Sequence, residues 1–194
     1  MSVSLQLLGI PKLLMDAEEV SVSLQRSFLL CAYLAVQAHW VTRDEILLLF
    51  WPEASEAKAR QNLRSLLYKL KKETYAASLE LENNRLRFLA ETDVHRFQEA
   101  KAKGGWAEVT QLYTGDFLEP YKGRESSSFE DWLHQTRDDI FASWREAALY
   151  FVNELIEQAD YAQATGIVQR VLQKNALDED AVQLCMRAQG SAGQ

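Results

Sequence analysis

The stretch "WPEASEAKARQNLRSLLYKLKK", Trp51 to Lys72, decides the fold and the function class of this 194-residue chain. From Ser55 to Lys72 it holds six basic residues and one acidic one, inside a chain of net charge −7. Pro52 ends whatever helix precedes it, and Ser55 is a good N-cap for a new one. At 100° per residue, Ala59, Leu63, Leu66, Leu67 and Leu70 fall on one side of that helix. Lys58, Gln61, Ser65, Tyr68, Lys69 and Lys72 fall on the other, flanked by Arg60, Arg64 and Lys71. The pattern is a leucine face for a core and an opposite face that is basic, polar and aromatic.

Working outward, the preceding segment supplies two more helices. "QRSFLLCAYLAVQ" places Phe28, Cys31, Ala32, Leu34 and Ala35 as a buried helical stripe. "TRDE" from Thr42 is a capping box, in which Thr42 and Glu45 satisfy each other's backbone N–H groups. Ile46, Leu47, Leu49 and Phe50 form the apolar face that follows. Ahead of these lie "VSLQLL" (Val3 to Leu8), "KLLM" and "VSVSL" (Val20 to Leu24). Their period-2 alternation, with turn residues between, predicts a small N-terminal antiparallel sheet.

After the basic helix comes "LELENNRLRFL", Leu79 to Leu89. Two alternating runs flank Asn83-Asn84, a plausible two-residue turn because Asn tolerates positive φ. The implied register pairs Glu82 with Arg85, Leu81 with Leu86, Glu80 with Arg87 and Leu79 with Phe88. Helix, helix, basic helix, hairpin is the order of a winged helix, whose third helix can enter a DNA major groove while the hairpin reaches the neighbouring backbone or minor groove. A sheet ahead of the first helix points to the OmpR-type variety. The bland alternative is a solvated cationic face, with Arg85 and Arg87 explained by their cross-strand glutamates alone.

Charge is divided unevenly along the chain. Residues 1 to 92 carry 11 basic and 11 acidic side chains; residues 93 to 194 carry 10 and 17. The neutral first half holds the local basic cluster, and local charge matters more than a whole-chain balance for nucleic acid. The acidic second half reads as helices. Asp93 is a fair N-cap for a helix carrying Val94, Phe97 and Ala100, closed by Gly104-Gly105. Trp106 to Tyr113 makes another. Ser126, Ser127 and Ser128 offer N-caps to a long helical region from about Phe129 to Gln158. In "ADYAQATGIVQRVLQKNALDEDA", Ala164, Val168, Val171 and Ala176 keep the spacing of a tetratricopeptide repeat, with Val171 and Ala176 imperfect occupants. Such helix pairs need neighbours, so an array of helical hairpins is expected. Trp132, Phe141, Trp144, Tyr150 and Phe151 recur at helical spacing and read as core. The expected architecture is mainly α with small β elements: a winged-helix domain over 1–92 and an all-helical domain over 93–194.

Other function classes find little support. The paired carboxylates Glu130-Asp131 and Asp138-Asp139 point about 100° apart on a helix. His39, His95 and His134 are scattered without metal-ligand spacing, and no phosphate loop or dinucleotide fingerprint is present. No catalysis, cofactor, metal or small-molecule substrate is expected. Cys31 and Cys185 read as two buried thiols of a reduced cytosol. The apolar runs are too short to span a bilayer, and no secretory leader is legible, so no membrane role is expected.

The segments "LLGIPKLL", "CAYLAV", "RDEILLLFWPEASEAKARQNLRSLLYKLKK", "DVHRFQEA", "LYTGDFLEPY", "FEDWLHQTRDDI" and "LDEDAVQLCMRA" occur in the order seen in SARP-type transcriptional regulators. The chain resembles their OmpR-type winged helix joined to a bacterial transcriptional activator domain (BTAD), over nearly its whole length. The resemblance implies a bacterial cytoplasmic activator that binds direct repeats near promoters as side-by-side protomers and helps recruit RNA polymerase. It also implies that Ser55 to Glu73 is the recognition helix and Leu79 to Leu89 the wing. The "NLR..L..L" pattern falls on Asn62, Leu63, Arg64, Leu67 and Leu70. Two departures stand out. Leu70-Lys71 replaces a frequent Leu-Arg, and Lys lacks the bidentate fork that suits guanine. The chain also stops at "MRAQGSAGQ", where many members continue.

The resulting expectation is sequence-specific binding of double-stranded promoter DNA. Lys58, Gln61, Ser65, Tyr68 and Lys69 would make base or base-adjacent contacts, and Arg60, Arg64, Lys71 and Lys72 would hold phosphates. Thr42 and Arg43, at the N-terminus of the second helix, would take another phosphate through free N–H groups. Arg85 and Arg87 would act from the wing. The rival is a protein-interaction module, or the front part of a larger regulator, whose winged helix no longer binds DNA.

Overall fold

The computed structural model describes residues 2–123 and 125–192. It is mainly helical with two small sheets, and it divides into two compact units. The first comprises residues 1–95 and 115–137; the second comprises 96–114 and 138–194. The units therefore cut the chain differently from the 1–92 and 93–194 division drawn on the sequence.

The first unit is an OmpR-type winged helix. Strands β1 (Val3–Gln6), β2 (Lys12–Met15) and β3 (Glu18–Val20) form an antiparallel meander. Its second turn is tight, with Asp16 and Ala17 both at positive φ. This draws Glu18 and Glu19 into the third strand and leaves residues 21–24 outside it, where alternation had placed a strand. Helix α1 (Arg26–Gln37) buries Phe28, Cys31, Ala32, Leu34 and Ala35 as expected, and Leu29 and Leu30 as well. Then follow β4 (Val41–Thr42), α2 (Arg43–Phe50), α3 (Glu56–Leu70), a 3-10 turn at Thr74–Ser78, and the wing hairpin β5 (Leu79–Glu82) and β6 (Arg85–Phe88). The wing adopts the register read from the sequence at all four pairs, with Asn83 at φ 49° in the turn. Two features correct the reading of α3. It ends at Leu70, not Glu73, and Ser55 stands at its N-cap without a side-chain capping bond.

A further strand, β7 (Glu91–Thr92), lies parallel to β1 and completes the four-stranded sheet. It leads directly into α4 (Asp93–Ala102). The cap of α4 is Thr92, whose Oγ1 accepts from the His95 N–H at 3.0 Å. Asp93, expected to be the cap, is spent on the segment just after β1: its carboxylate accepts from the backbone N–H groups of Leu7 at 2.8 Å and Leu8 at 2.9 Å. Residues 115–137 return to this unit. The Leu118 N–H donates to the Leu7 carbonyl at 2.8 Å, and Gly9 donates to Asp116 at 3.0 Å. Ser126 caps the long helix α6 (Ser127–Glu157), accepting from the Phe129 N–H, and its hydroxyl donates to the Leu49 carbonyl. Phe129 packs on Phe50 with ring centroids 5.1 Å apart. Arg137 donates to the carbonyls of Phe117, Leu118 and Tyr121.

The second unit is all helix: the rest of α4, α5 (Trp106–Leu112), residues 138–157 of α6, α7 (Tyr161–Lys174) and α8 (Glu179–Ala192). Helices α7 and α8 pack as a helical hairpin, and Ala164, Val168, Val171, Ala181, Leu184 and Ala188 are buried. Ala176, the imperfect fourth repeat position, is exposed. Trp144 is buried and stacks on Tyr113 at 4.7 Å, while Tyr150 is exposed and stacks on Trp106 at 5.1 Å. Cys31 is buried; Cys185, also read as buried, is only half so.

Asp178 closes the α7–α8 turn. It accepts from Arg145 Nε at 2.5 Å and Nη2 at 2.7 Å, and from the Ala181 N–H at 3.1 Å. Arg145 holds the Asp178 carboxyl below the ordinary carboxylate range. A depressed folded-state value stabilises the fold above the unfolded value, and that contribution is lost as pH falls through the folded one. Asp178→Asn is therefore expected to cost about 2 kcal/mol at pH 7. The gap from wild type should begin to narrow below about pH 4 and close only below the depressed folded-state value, as read by urea denaturation across that range.

No helix among the described residues is long and apolar enough to cross a membrane, and none of their His, Cys, Asp and Glu side chains cluster to hold a metal.

Candidate nucleic-acid interface

Helix α3 presents the two faces its spacing predicts. Ala59, Leu63, Leu66, Leu67 and Leu70 are buried. Lys58, Arg60, Gln61, Arg64, Ser65, Tyr68, Lys69, Lys71 and Lys72 are all exposed. Burial of four leucines fixes the rotation of the helix, since turning it would return about 1.5–3 kcal/mol of each side chain to water. That fixed rotation is what aims the cationic side outward.

Neighbouring elements extend this surface. Arg43, at the start of α2, joins Arg60 and Arg64 around a cleft of about 170 Å³ that Asp44, Leu47 and Leu63 complete. Arg60 is tied by Glu56 at 2.7 Å and, more loosely, by Asp44 at 3.8 Å. Among the described residues, Arg43, Lys58, Arg64, Lys69 and Lys71 make no ion pair. The Lys72 ammonium lies 4.4 Å over the Tyr68 ring.

The wing is anchored to the start of α2. Strand β6 pairs with β4, placing Arg85 opposite Thr42, and the Arg43 N–H donates to the Asn84 carbonyl at 2.9 Å. Arg85 meets Glu82 at 3.5 Å and Arg87 meets Glu80 at 2.6 Å, so both expected cross-strand pairs form. Exposed pairs of this kind contribute about 0.2–1 kcal/mol and exchange readily for another anion. Trp40 was absent from the sequence-based set. Its ring lies under both guanidinium groups, at 5.7 Å from Arg85 and 4.4 Å from Arg87.

Three of the N–H groups expected to be free at the start of α2, those of Thr42, Arg43 and Glu45, are already engaged. The capping box is complete: Thr42 N–H donates to Glu45 at 2.7 Å, and Glu45 N–H donates to Thr42 Oγ1 at 3.2 Å. The Thr42 hydroxyl, which also bonds the Glu45 carboxylate at 2.6 Å, holds that group below the ordinary carboxylate range. The Arg43 N–H is taken by Asn84. Thr42 is thus a structural cap, and the Arg43 guanidinium is the cationic group beside it.

No protein-family model matches the chain, and no curated protein sequence matches it. Among solved structures it is similar to Mycobacterium tuberculosis EmbR in complex with a low-affinity phosphopeptide. The TM-score is 0.72 at 14% identity, over 98% of this chain and 55% of that one. The chain therefore spans about half the length of that protein, and the likeness is one of fold: a winged helix followed by a helical domain.

Proposed function

We propose that the chain is a sequence-specific, double-stranded DNA-binding transcriptional regulator. The carrying observation is the exposed cationic side of α3, set opposite a fully buried leucine face. A helix so held can lie in a major groove, with the wing arginines on the adjoining backbone. Arg43, Arg60, Arg64, Lys71 and Lys72 hold phosphates; Lys58, Gln61, Ser65, Tyr68 and Lys69 face the bases; Arg85 and Arg87 leave their glutamates for the duplex. The resemblance to SARP-type regulators extends this to a cytoplasmic activator that binds direct repeats as paired protomers and contacts RNA polymerase. The acidic remainder keeps the chain from being a general polyanion binder.

Mobility-shift titration against DNA from upstream of its own gene, at two salt concentrations, tests the proposal. If these five cations and the two wing arginines all engage phosphates, the affinity should fall with a log–log salt slope of roughly −6.3. No shift on any promoter fragment at low salt would favour the rival, a protein-interaction module.

A further inference from the structure

The exposed side of α3 is not uniformly cationic. Around the helix, Gln61, Ser65 and Tyr68 run down its middle. Lys58 and Lys69 stand on one side, and Arg60, Arg64 and Lys71 on the other. The two arginines belong to the flank that lines the cleft with Arg43, and Arg60 is further restrained by Glu56 and Asp44. The guanidinium fork that pairs with guanine O6 and N7 is therefore missing from the middle of the surface.

What stands there instead has a different complement. The Gln61 carboxamide is exposed and makes no hydrogen bond among the described residues. It offers one acceptor and one NH₂ group, the match for adenine N6–H₂ and N7. Seven residues further on, Tyr68 is 64% exposed, and the Lys72 ammonium 4.4 Å over its ring limits where that ring can go. A placed aromatic offers apolar contact to the thymine methyl, the feature that marks T in the major groove. Seven residues of helix rise about 10 Å, or roughly three base steps at 3.4 Å.

Resting on the DNA-binding reading, we propose that Gln61 and Tyr68 are the specificity-determining residues. Gln61 takes an adenine by its major-groove edge, and Tyr68 takes a thymine methyl about three base pairs away. Arg43, Arg60, Arg64, Lys71 and Lys72, on phosphates, supply affinity without choosing sequence.

Selection of bound duplexes from a random pool, followed by atom-level substitution in the selected site, tests this. With 7-deazaadenine at the adenine, wild-type affinity should fall roughly five- to tenfold, the loss of one of two paired bonds. Gln61→Ala should be nearly indifferent to that change. With uracil in place of thymine, wild type should lose about fourfold, the worth of one buried methyl, and Tyr68→Ala should lose nothing. Both side chains are exposed, so each variant should keep the wild-type circular dichroism spectrum. Equal penalties in wild type and variants, or a selected site with G·C pairs at these positions, would overturn the assignment and leave DNA binding standing. A pool from which wild type retains no duplex would overturn the DNA-binding reading, and this assignment with it.

Discussion

Replacing Arg64 and Lys69 together by alanine is expected to lower affinity for a bound duplex by about a hundredfold near physiological salt, at roughly tenfold per lost cation. The log–log salt slope should flatten by roughly 0.9 for each of the two that neutralises a phosphate. Arg64 and Lys69 stand on opposite sides of the Gln61, Ser65 and Tyr68 row of α3, so the pair samples both rims of the surface. Neither makes an ion pair among the described residues, and both are exposed. Substitutions of that kind leave stability within about 0.5 kcal/mol. Circular dichroism and the urea midpoint should therefore stay at wild type while the mobility shift disappears. An unchanged shift would remove α3 from the contact surface and leave its charge as a solvated face.

The largest stability effect is expected at Asp93. Its carboxylate accepts from the N–H groups of Leu7 and Leu8, two residues that are almost fully buried. Asp93→Ala strips the acceptor from both. At about 1–3 kcal/mol for each buried donor left unmade, the loss should be about 4 kcal/mol. Asp93→Asn keeps one acceptor oxygen and should lose about half as much. Urea denaturation measures both, and a midpoint shift at constant slope would mark a change in stability alone. A loss under 1 kcal/mol for Asp93→Ala would mean that water reaches these N–H groups.

The parts of the fold that were legible in the sequence are those set by local periodicity. The leucines of α3 recur at helical spacing, and all five apolar positions are buried. The wing carries alternation and complementary charge together, so its register had a single consistent solution, the one that forms. The Thr42–Glu45 box signals itself within four residues. Parts set by distant pairing were not legible. Strand β7 is two residues long, too short for any period, and it exists because β1 lies beside it. Residues 115–137 join the first unit through backbone bonds from Leu118 to Leu7 and from Gly9 to Asp116, which leave no pattern in side chains. Asp93 looked like a cap because Asp favours that position; a backbone N–H 86 residues earlier claimed it instead.

The candidate surface divides along the same line. Which residues of α3 face outward followed from the helix angle alone. The gathering of Arg43 with Arg60 and Arg64 depends on how α2 packs on α3, and the engagement of the Arg43 N–H depends on the wing turn. Trp40 carried only the signal of an aromatic two residues before the capping box. Its place beneath Arg85 and Arg87 follows from the β4–β6 pairing.

The return of residues 115–137 governs the order in which a nascent chain can mature. Leu7 and Leu8 leave the ribosome first, yet they wait for Asp93, Phe117 and Leu118 before their backbone groups are paired. Phe50 likewise waits for Phe129. Helix α3 and the wing are thus synthesised well before the floor beneath them is closed. A fragment ending just after the wing would carry every cation of the proposed contact surface on a body missing part of its core.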